Sequence, residues 1–285
     1  MQIGVTFPQN EIGADPAVIR DYAQTVEGLG YEHVVAYDHV VGADPAQRPN
    51  WQGYTHQSLF HEPFVLFGYL AALTKLELVT AVIILPQRQT ALVAKQAAEV
   101  AILSGGKFRL GIGVGWNPVE YEALGTNFKT RGRAIEEQVE VLRKLWSEEV
   151  VTYKGQFHTI EAAGLNPLPP QRNIPIWMGG GSDVLLKRVA RLADGWFPLS
   201  QPDKETRAKL EQLYKYAEEV GRDPKTIGIE ARVSTSDGDI EQLVGWTDQW
   251  RELGATHISL NTMNSGYKTP QEHLAAIRRY KELVG

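Results

Sequence analysis

The sequence predicts an α/β fold, a single (β/α)8 TIM barrel with insertions in the rim loops, and three observations support this fold class. Eight short apolar segments rich in β-branched or aromatic residues recur along the chain, amphipathic helical segments separate them, and 285 residues suit one barrel of typically ~250 residues. Apolar strands of this kind are typical of buried parallel strands. A doubly wound open sheet is the alternative, but the repeat count favours the barrel. The predicted strands are residues 3–7, 33–37, 78–84, 108–114, 175–178, 195–198, 227–231 and 257–260.

The helical segments carry recognisable start and stop signals. Asp15 followed by Pro16 predicts the start of the first helix, and Gly30 follows its end. Thr269 and Glu272 have the spacing of a capping box, which predicts the start of the last helix. These signals support a repeated strand–helix unit across one domain, residues 1–285.

Two stretches exceed what a bare barrel requires. Residues 42–61 are polar, aromatic and proline-containing, and they follow the second strand at the C-terminal rim, where loops are usually functional. Residues 148–174 predict an inserted hairpin with strands at 150–153 and 156–159, followed by a proline-rich return. We therefore expect two rim insertions rather than a second domain.

Composition and charge narrow the function classes. The apolar fraction of 43% and the charged fraction of 22% are those of a folded globular enzyme. The net charge of −5 argues against a nucleic-acid binder or a protein attracted to anionic membranes, so we expect a small-molecule substrate. The chain has no cysteine, which excludes disulfides, iron–sulfur clusters and a cysteine nucleophile. It shows no basic leader and no apolar stretch of membrane-spanning length, so we expect a cytoplasmic protein.

Polar residues and glycines gather at predicted strand ends, where barrel enzymes place their chemistry. The second strand ends in Asp38 and His39, the fourth runs through Gly113 and Gly115 to Trp116, and the fifth runs into Gly179, Gly180, Gly181 and Ser182. These three strand ends are the candidate site.

The same segments resemble a known family. The chain resembles the luciferase-like monooxygenase superfamily in four motifs. They are Asp38-His39, the run LSGGKFRLGIGVGW at 103–116, Arg131 with Arg133, and the block 175–198 containing Asp194-Gly195-Trp196. The resemblance covers nearly the whole chain. It is greatest to the branch of oxidoreductases that use the deazaflavin coenzyme F420, although many superfamily members use FMN.

The glycine run at residues 179–182 predicts an anion site. Gly179, Gly180, Gly181 and Ser182 lie between a strand and a helix start, so backbone amides and the helix dipole can bind a cofactor phosphate. A tight strand-to-helix turn that binds nothing is the alternative. Arg88, Lys129, Arg131 and Arg133 are candidate cations for the anionic tail of F420, although Arg131 and Arg133 can instead cap a helix or pair with nearby glutamates.

The glycines of the fourth strand follow the pattern G-x-G-x-G, which is not a dinucleotide fingerprint. The resemblance implies that the cofactor ring approaches Gly113 and Gly115, whereas small residues that let the barrel close are the alternative reading, strongest for Gly111. Trp116 stands where sugar-phosphate-oxidising relatives have a carboxylate, and Val114 stands where FMN-dependent relatives have an arginine. The second departure favours F420. The resemblance also implies a non-proline cis peptide between Ala81 and Val82 beneath the ring.

His39 is the candidate acid or base, because imidazole exchanges protons near neutral pH. The resemblance implies that Asp38 contacts the cofactor. In the alternative, Asp38 caps the following loop and His39 is only a polar rim residue.

The rim loop offers candidate substrate contacts in Trp51, His56 and His61, together with Tyr54, either as a lid or as ordinary packing. His39, His56 and His61 could also suggest a metal site, but the His-x-His pair of metal-dependent hydrolase barrels is missing. We therefore expect no metal.

These observations predict an oxidoreductase that transfers a hydride between coenzyme F420 and a small organic substrate. The alternatives are an FMN-dependent two-component monooxygenase and a non-catalytic barrel that binds a deazaflavin or flavin. A separate reductase is expected to recycle the cofactor, and a homodimer is left open.

Overall fold

The computed structural model describes residues 1–285, and its central element is a closed barrel of eight parallel strands. The strands in chain order are β1 (Gln2–Thr6), β2 (His33–Ala36), β3 (Glu77–Thr80), β4 (Ile83–Ile84), β5 (Phe108–Gly113), β6 (Val151–Lys154), β7 (Thr159–Ala163), β8 (Ile176–Gly179), β9 (Gly195–Phe197), β10 (Gly228–Ser234) and β11 (His257–Asn261). The barrel order is β1-β2-β3-β5-β8-β9-β10-β11, and β11 pairs back to β1 with Val5 opposite Leu260. The predicted (β/α)8 barrel is confirmed.

Helices surround the barrel and bury one face each against its wall. They are α1 (Pro16–Gly28), α2 (Pro63–Leu73), α3 (Thr90–Leu103), α4 (Pro118–Ala123), α5 (Arg131–Ser147), α6 (Asp183–Leu192), α7 (Lys204–Glu219), α8 (Ile240–Glu252) and α9 (Pro270–Val284). Short 3-10 turns cover Leu85–Gln87 and Pro224–Thr226. The main core lies between this helical layer and the strands, with Phe67, Trp146 and Trp250 fully buried in it.

The predicted helix signals work as expected. The side chain of Asp15 accepts a hydrogen bond from the N–H of Ala17 at the start of α1, and Thr269 and Glu272 form a complete capping box at the start of α9. Each interaction satisfies amides that the first helical turn leaves without a partner.

The third barrel strand is divided, which the sequence prediction of one continuous strand at 78–84 did not anticipate. β3 ends at Thr80, the peptide bond between Ala81 and Val82 is cis, and the path resumes as β4, which pairs with β5. The cis bond that the resemblance implies is thus present at the expected position.

The hairpin insertion is confirmed, but its second strand was predicted too early. The strands are β6 and β7, and residues 156–158 form the turn. The carboxylate of Glu137 on α5 accepts hydrogen bonds from the N–H groups of Gln156, Phe157 and His158, each at 2.8 Å. These three amides are therefore unavailable for strand pairing. The rim loop at 42–61 contains only an isolated bridge between Ala43 and Thr55.

Candidate active site at the C-terminal mouth of the barrel

A cavity of about 410 Å³ opens at the C-terminal end of the barrel strands. Its lining includes eight of the residues that the sequence singled out: Asp38, His39, Ala81, Val82, Gly113, Gly115, Trp116 and Gly179. A larger groove of about 920 Å³ runs along the outside of α5, but charged side chains dominate its lining. A mainly apolar cavity with a few converging polar groups is the usual form of a ligand site, so the barrel mouth is the candidate active site.

Asp38 is buried in the cavity wall and fully engaged by the chain. Its Oδ1 accepts a hydrogen bond from Nη2 of Arg88 at 2.8 Å, and its Oδ2 accepts one from the N–H of Ile84 at 3.3 Å. Burial raises the pKa of the Asp38 carboxyl above its ordinary value, and the Arg88 guanidinium offsets part of this rise. Arg88 also binds Glu62 at 3.1 Å. Both contacts pair its charge within the chain, and its expected role toward an anionic cofactor tail stays a prediction.

His39 is held by a carboxylate that sequence reasoning missed. Its Nδ1 lies 3.1 Å from Oε1 of Glu120. The same oxygen also accepts a hydrogen bond from the N–H of Val40 at 2.8 Å. Burial alone would raise the pKa of Glu120, but the hydrogen bonds from His39 and Val40 outweigh it and hold that pKa below the ordinary carboxyl value. Glu120 thus remains an acceptor, which assigns the Nδ1 proton to His39 and leaves Nε2 as the ring nitrogen that can accept a proton.

Glu120 is the third residue after the N-cap Asn117, the position of the acidic member of a capping box. The sequence signal was therefore a helix start. Only the fold shows that this carboxylate reaches across to His39.

Aromatic rings enclose His39. The ring centroids of Tyr54 and Phe60 lie 4.5 and 4.6 Å from that of His39, and Trp116 lies at 6.1 Å. Trp51 stacks on Trp116 at 5.7 Å with planes 26° apart. The rim loop thus packs over the cavity. Trp51 contacts Trp116, which lines the cavity, but Trp51 does not line it.

Gly53 permits this packing. Its φ of +145° suits glycine, and a Cβ there would lie 2.4 Å from the Trp116 indole.

The two remaining rim histidines differ in position. His56 lines a small neighbouring pocket of about 310 Å³ that shares His39 and Tyr54 with the main cavity. His61 instead lies 3.2 Å from the carbonyl oxygen of Gly13 and packs against Phe7. His61 is not among the residues that line the cavity, and its expected substrate contact stays a prediction.

The glycines of β5 make room for the chain itself. A Cβ on Gly111 would lie 1.8 Å from the carbonyl oxygen of Thr80, and Cβ atoms on Gly113 and Gly115 would meet Val82 and Ile84 at 2.6 and 2.7 Å. The barrel-closure reading fits all three positions. Gly113 and Gly115 nevertheless also line the cavity.

The segment of residues 179–182 joins β8 to α6. Gly179 lines the cavity, whereas Gly180, Gly181 and Ser182 lie beside it at the helix start. Ser182 is the N-cap and accepts the N–H of Leu185 at 3.3 Å. The N–H groups of Gly181 and Ser182 have no acceptor in the chain.

A cation stands beside this glycine segment. A Cβ on Gly181 would lie 3.4 Å from Nζ of Lys209, a residue that the sequence analysis did not single out, and this Nζ also binds Oε1 of Glu205, one helical turn before it, at 2.6 Å. Arg131 instead stacks on Phe128, with 3.6 Å between the guanidinium carbon and the ring centroid, and donates to the Phe128 carbonyl.

Beneath the cavity, the barrel interior contains buried charges. Oε2 of Glu230 accepts a hydrogen bond from Arg109 at 2.7 Å, and its Oε1 lies 2.9 Å from Nε2 of His33. Arg109 also binds Glu77 at 2.8 Å. Glu230 lines the floor of the cavity, so this network connects the floor to the opposite end of the barrel.

These buried charges lower the pKa values of two groups, Glu230 and His257. Burial disfavours the charged form of Glu230, but His33 and Arg109 outweigh it and hold the pKa of Glu230 far below the ordinary value. Burial and the nearby Arg109 guanidinium lower the pKa of His257 to about 3.

A family profile of luciferase-like monooxygenases matches residues 1–283, and the chain belongs to this family. It is 34% identical over 225 residues to an uncharacterized protein of Mycobacterium tuberculosis, with 76% of each chain covered. It is 28% identical over 254 residues to the F420-dependent hydroxymycolic acid dehydrogenase of Mycobacterium tuberculosis, covering 87% of this chain and 66% of that one. An FMNH2-dependent dimethylsulfone monooxygenase of Pseudomonas fluorescens is also 28% identical, over 78% and 58% of the two chains.

Solved structures share the fold. An F420-dependent secondary alcohol dehydrogenase, in complex with an F420-acetone adduct, superposes with a TM-score of 0.81 at 18% identity, over 100% of this chain and 99% of that one. An EDTA monooxygenase from Chelativorans superposes with a TM-score of 0.77 at 13% identity, over 100% and 92%. Oxidoreductases that use F420 and monooxygenases that use FMN are therefore both among the relatives.

None of the helices has the length and apolar character needed to cross a bilayer. No group of three or more histidine and carboxylate side chains is arranged to hold a metal ion.

Proposed function

We propose that this protein transfers a hydride between coenzyme F420 and a small organic substrate. The observation that carries the proposal is the pair formed by His39 and Glu120 in the wall of the barrel-mouth cavity. A histidine that a carboxylate orients in the wall of a ligand cavity is suited to exchange a proton with a substrate hydroxyl or carbonyl oxygen.

The residues present fit the cofactor. Two backbone amides without acceptors, those of Gly181 and Ser182, lie at the start of α6 with Lys209 nearby, and together they suit a phosphate. The ring would lie in the cavity against Ala81, Val82 and Gly113. When bound there, the deazaflavin supplies a hydride acceptor or donor.

The protein residues supply orientation and proton transfer. Glu120 fixes the ring orientation and tautomer of His39, so that Nε2 can take the proton of a substrate alcohol as it is oxidised, or protonate a carbonyl oxygen in the reverse direction. Trp116, Tyr54 and Phe60 pack around the imidazole and leave the His39 side chain 14% exposed. Asp38, in the cavity wall, binds Arg88 behind it.

The cofactor choice is supported by Val114, which lines the cavity where FMN-dependent relatives are expected to carry an arginine. A separate enzyme would regenerate the cofactor, and the substrate would be a small molecule that enters the barrel mouth. FMN-dependent monooxygenation is the second candidate, favoured by the similarity to the dimethylsulfone monooxygenase.

Fluorescence titration of the purified protein with F420 and with FMN tests the proposal. We expect F420 to bind at least about tenfold more tightly, a difference of ~1.4 kcal/mol. Lys209→Gln should weaken F420 binding, whereas Arg278→Gln, an exposed change on α9 far from the cavity, should not.

Equal or inverted affinities would contradict the proposal. Oxygen consumption with supplied reduced FMN would then establish the monooxygenase. Binding without turnover of any alcohol or ketone would indicate a carrier.

A further inference from the structure

The cavity contains an arginine that none of the roles described above uses. Arg232 lies on β10, one inward-facing position above Glu230, and its side chain lines the cavity. Its hydrogen bond within the chain is the one from Nη1 to the hydroxyl of Tyr37, at 3.3 Å. Residue Arg232 is exposed, and this exposure is toward the cavity.

Arg232 has no carboxylate partner within 4.0 Å, unlike the two other arginines of the barrel interior. Arg88 binds Asp38 at 2.8 Å, and Arg109 binds Glu230 at 2.7 Å. The two carboxylates that line the cavity are therefore committed to cations other than Arg232. Asp237, the nearest acid along the strand end, accepts a hydrogen bond from Gln201 at 3.0 Å instead.

Thr6 lines the same cavity, and its buried hydroxyl has no hydrogen-bond partner in the chain. A buried hydroxyl without a partner costs free energy unless a ligand satisfies it. A guanidinium without a carboxylate partner and a residue whose hydroxyl lacks a hydrogen-bond partner thus line one cavity, whose other walls include Val35, Phe197 and Leu199.

We infer that the ligand bound next to His39 is an organic carboxylate with an apolar body, and that Arg232 binds its carboxylate. A guanidinium presents parallel N–H donors that match a carboxylate in a bidentate pair. The apolar walls contact the remainder of the ligand. This inference rests on the proposed function, because the organic carboxylate would be the substrate of the hydride transfer.

The test compares benzoate with benzamide, which share a shape and differ in charge. Calorimetric titration of the protein should give at least about tenfold tighter binding of benzoate. Arg232→Gln should bring the two affinities to within about twofold, and Arg232→Lys should retain part of the preference. Arg278→Gln removes a positive charge from an exposed site on α9 and should leave the preference intact.

A second titration, with F420 at saturation, separates substrate from cofactor. Unchanged preference for benzoate in this state supports the inference. Two results would show that Arg232 binds the cofactor and would overturn the inference. One is displacement of benzoate by F420. The other is an Arg232→Gln variant that loses F420 affinity but keeps the benzoate preference. Absence of a benzoate preference in the wild-type protein would also overturn it. Failure of F420 to bind would contradict the proposed function alone, since the first titration needs no cofactor.

Discussion

Nδ1 of His39 lies 3.1 Å from Oε1 of Glu120, although 81 positions separate the two residues in the chain. The contact joins the end of β2 to the short helix that follows β5. It makes the imidazole a directed proton acceptor rather than a freely rotating rim side chain, because the carboxylate selects one tautomer.

Replacing His39 by alanine should lower hydride-transfer turnover by roughly 10²-fold or more while leaving F420 affinity nearly unchanged, since a positioned acid or base would be lost. Steady-state kinetics and fluorescence titration measure the two effects. Unaltered turnover would show that His39 is not the catalytic residue.

Glu120→Gln should lower kcat more than it changes KM, because Glu120 positions His39 without touching substrate. The ¹⁵N shifts of His39 should show loss of the Nδ1-protonated tautomer, a signature that a merely structural role would not produce. Glu122→Gln is the matched control, because it lies on the same helix with its carboxylate exposed beside Arg48. Equal behaviour of the two variants would contradict the assignment.

Asp38→Ala should weaken F420 binding more than it slows turnover, because Asp38 lies in the cavity wall and its hydrogen bonds go to Arg88 and Ile84 rather than to His39 or Glu120. It should also lower the free energy of unfolding by about 3 kcal/mol, since the partly buried Arg88 would retain only Glu62 as a partner. Fluorescence titration and urea unfolding measure these changes. Full retention of F420 affinity would argue that Asp38 serves the fold alone.

Gly111→Ala should destabilise the protein by about 3 kcal/mol or more, because its Cβ would lie 1.8 Å from the Thr80 carbonyl oxygen. Gly68→Ala, in the middle of α2 with open space around it, should instead stabilise by roughly 0.5–1 kcal/mol through helix propensity. Urea unfolding of both variants checks the contrast. Equal stabilities would show that β5 can move away from β3.

Stability should fall as the pH decreases from about 6.5 toward 3. The folded-state pKa of His257 is about 3, so in this window the unfolded chain binds a proton that the folded chain does not. Above pH 6.5 His257 is neutral in both states and does not affect stability. Below that pH, proton binding by the unfolded chain lowers the free energy of unfolding by up to about 1.4 kcal/mol for each pH unit. Urea midpoints measured against pH should show a shallower slope for His257→Gln. An identical slope would place the titration elsewhere.

Local signals in the sequence predicted the barrel well because each one acts over a few residues. The caps at Asp15 and Thr269 and the eight apolar strands are examples of short-range patterns. The end of the hairpin was missed because a distant carboxylate, that of Glu137, captures the amides of its turn.

In the candidate site, too, short-range patterns could be predicted from the sequence and long-range contacts could not. Strand ends identified Asp38 and His39, since position along a strand fixes which rim a residue reaches. Glu120, Lys209 and Arg232 were missed because their roles depend on residues tens or hundreds of positions away, and their local sequence indicates only helix or strand. The contact of His61 with Gly13 was missed for the same reason, since the sequence of its own loop does not encode it.

The buried pairs beneath the cavity floor give the site a fixed electric field. Glu230, Arg109 and His33 hold one another in place, and water has little access to them. Dissolved ions screen such buried charges far less than charges at the rim. A ligand seated on the floor therefore experiences a field whose direction is set by the fold and changes little with ionic strength.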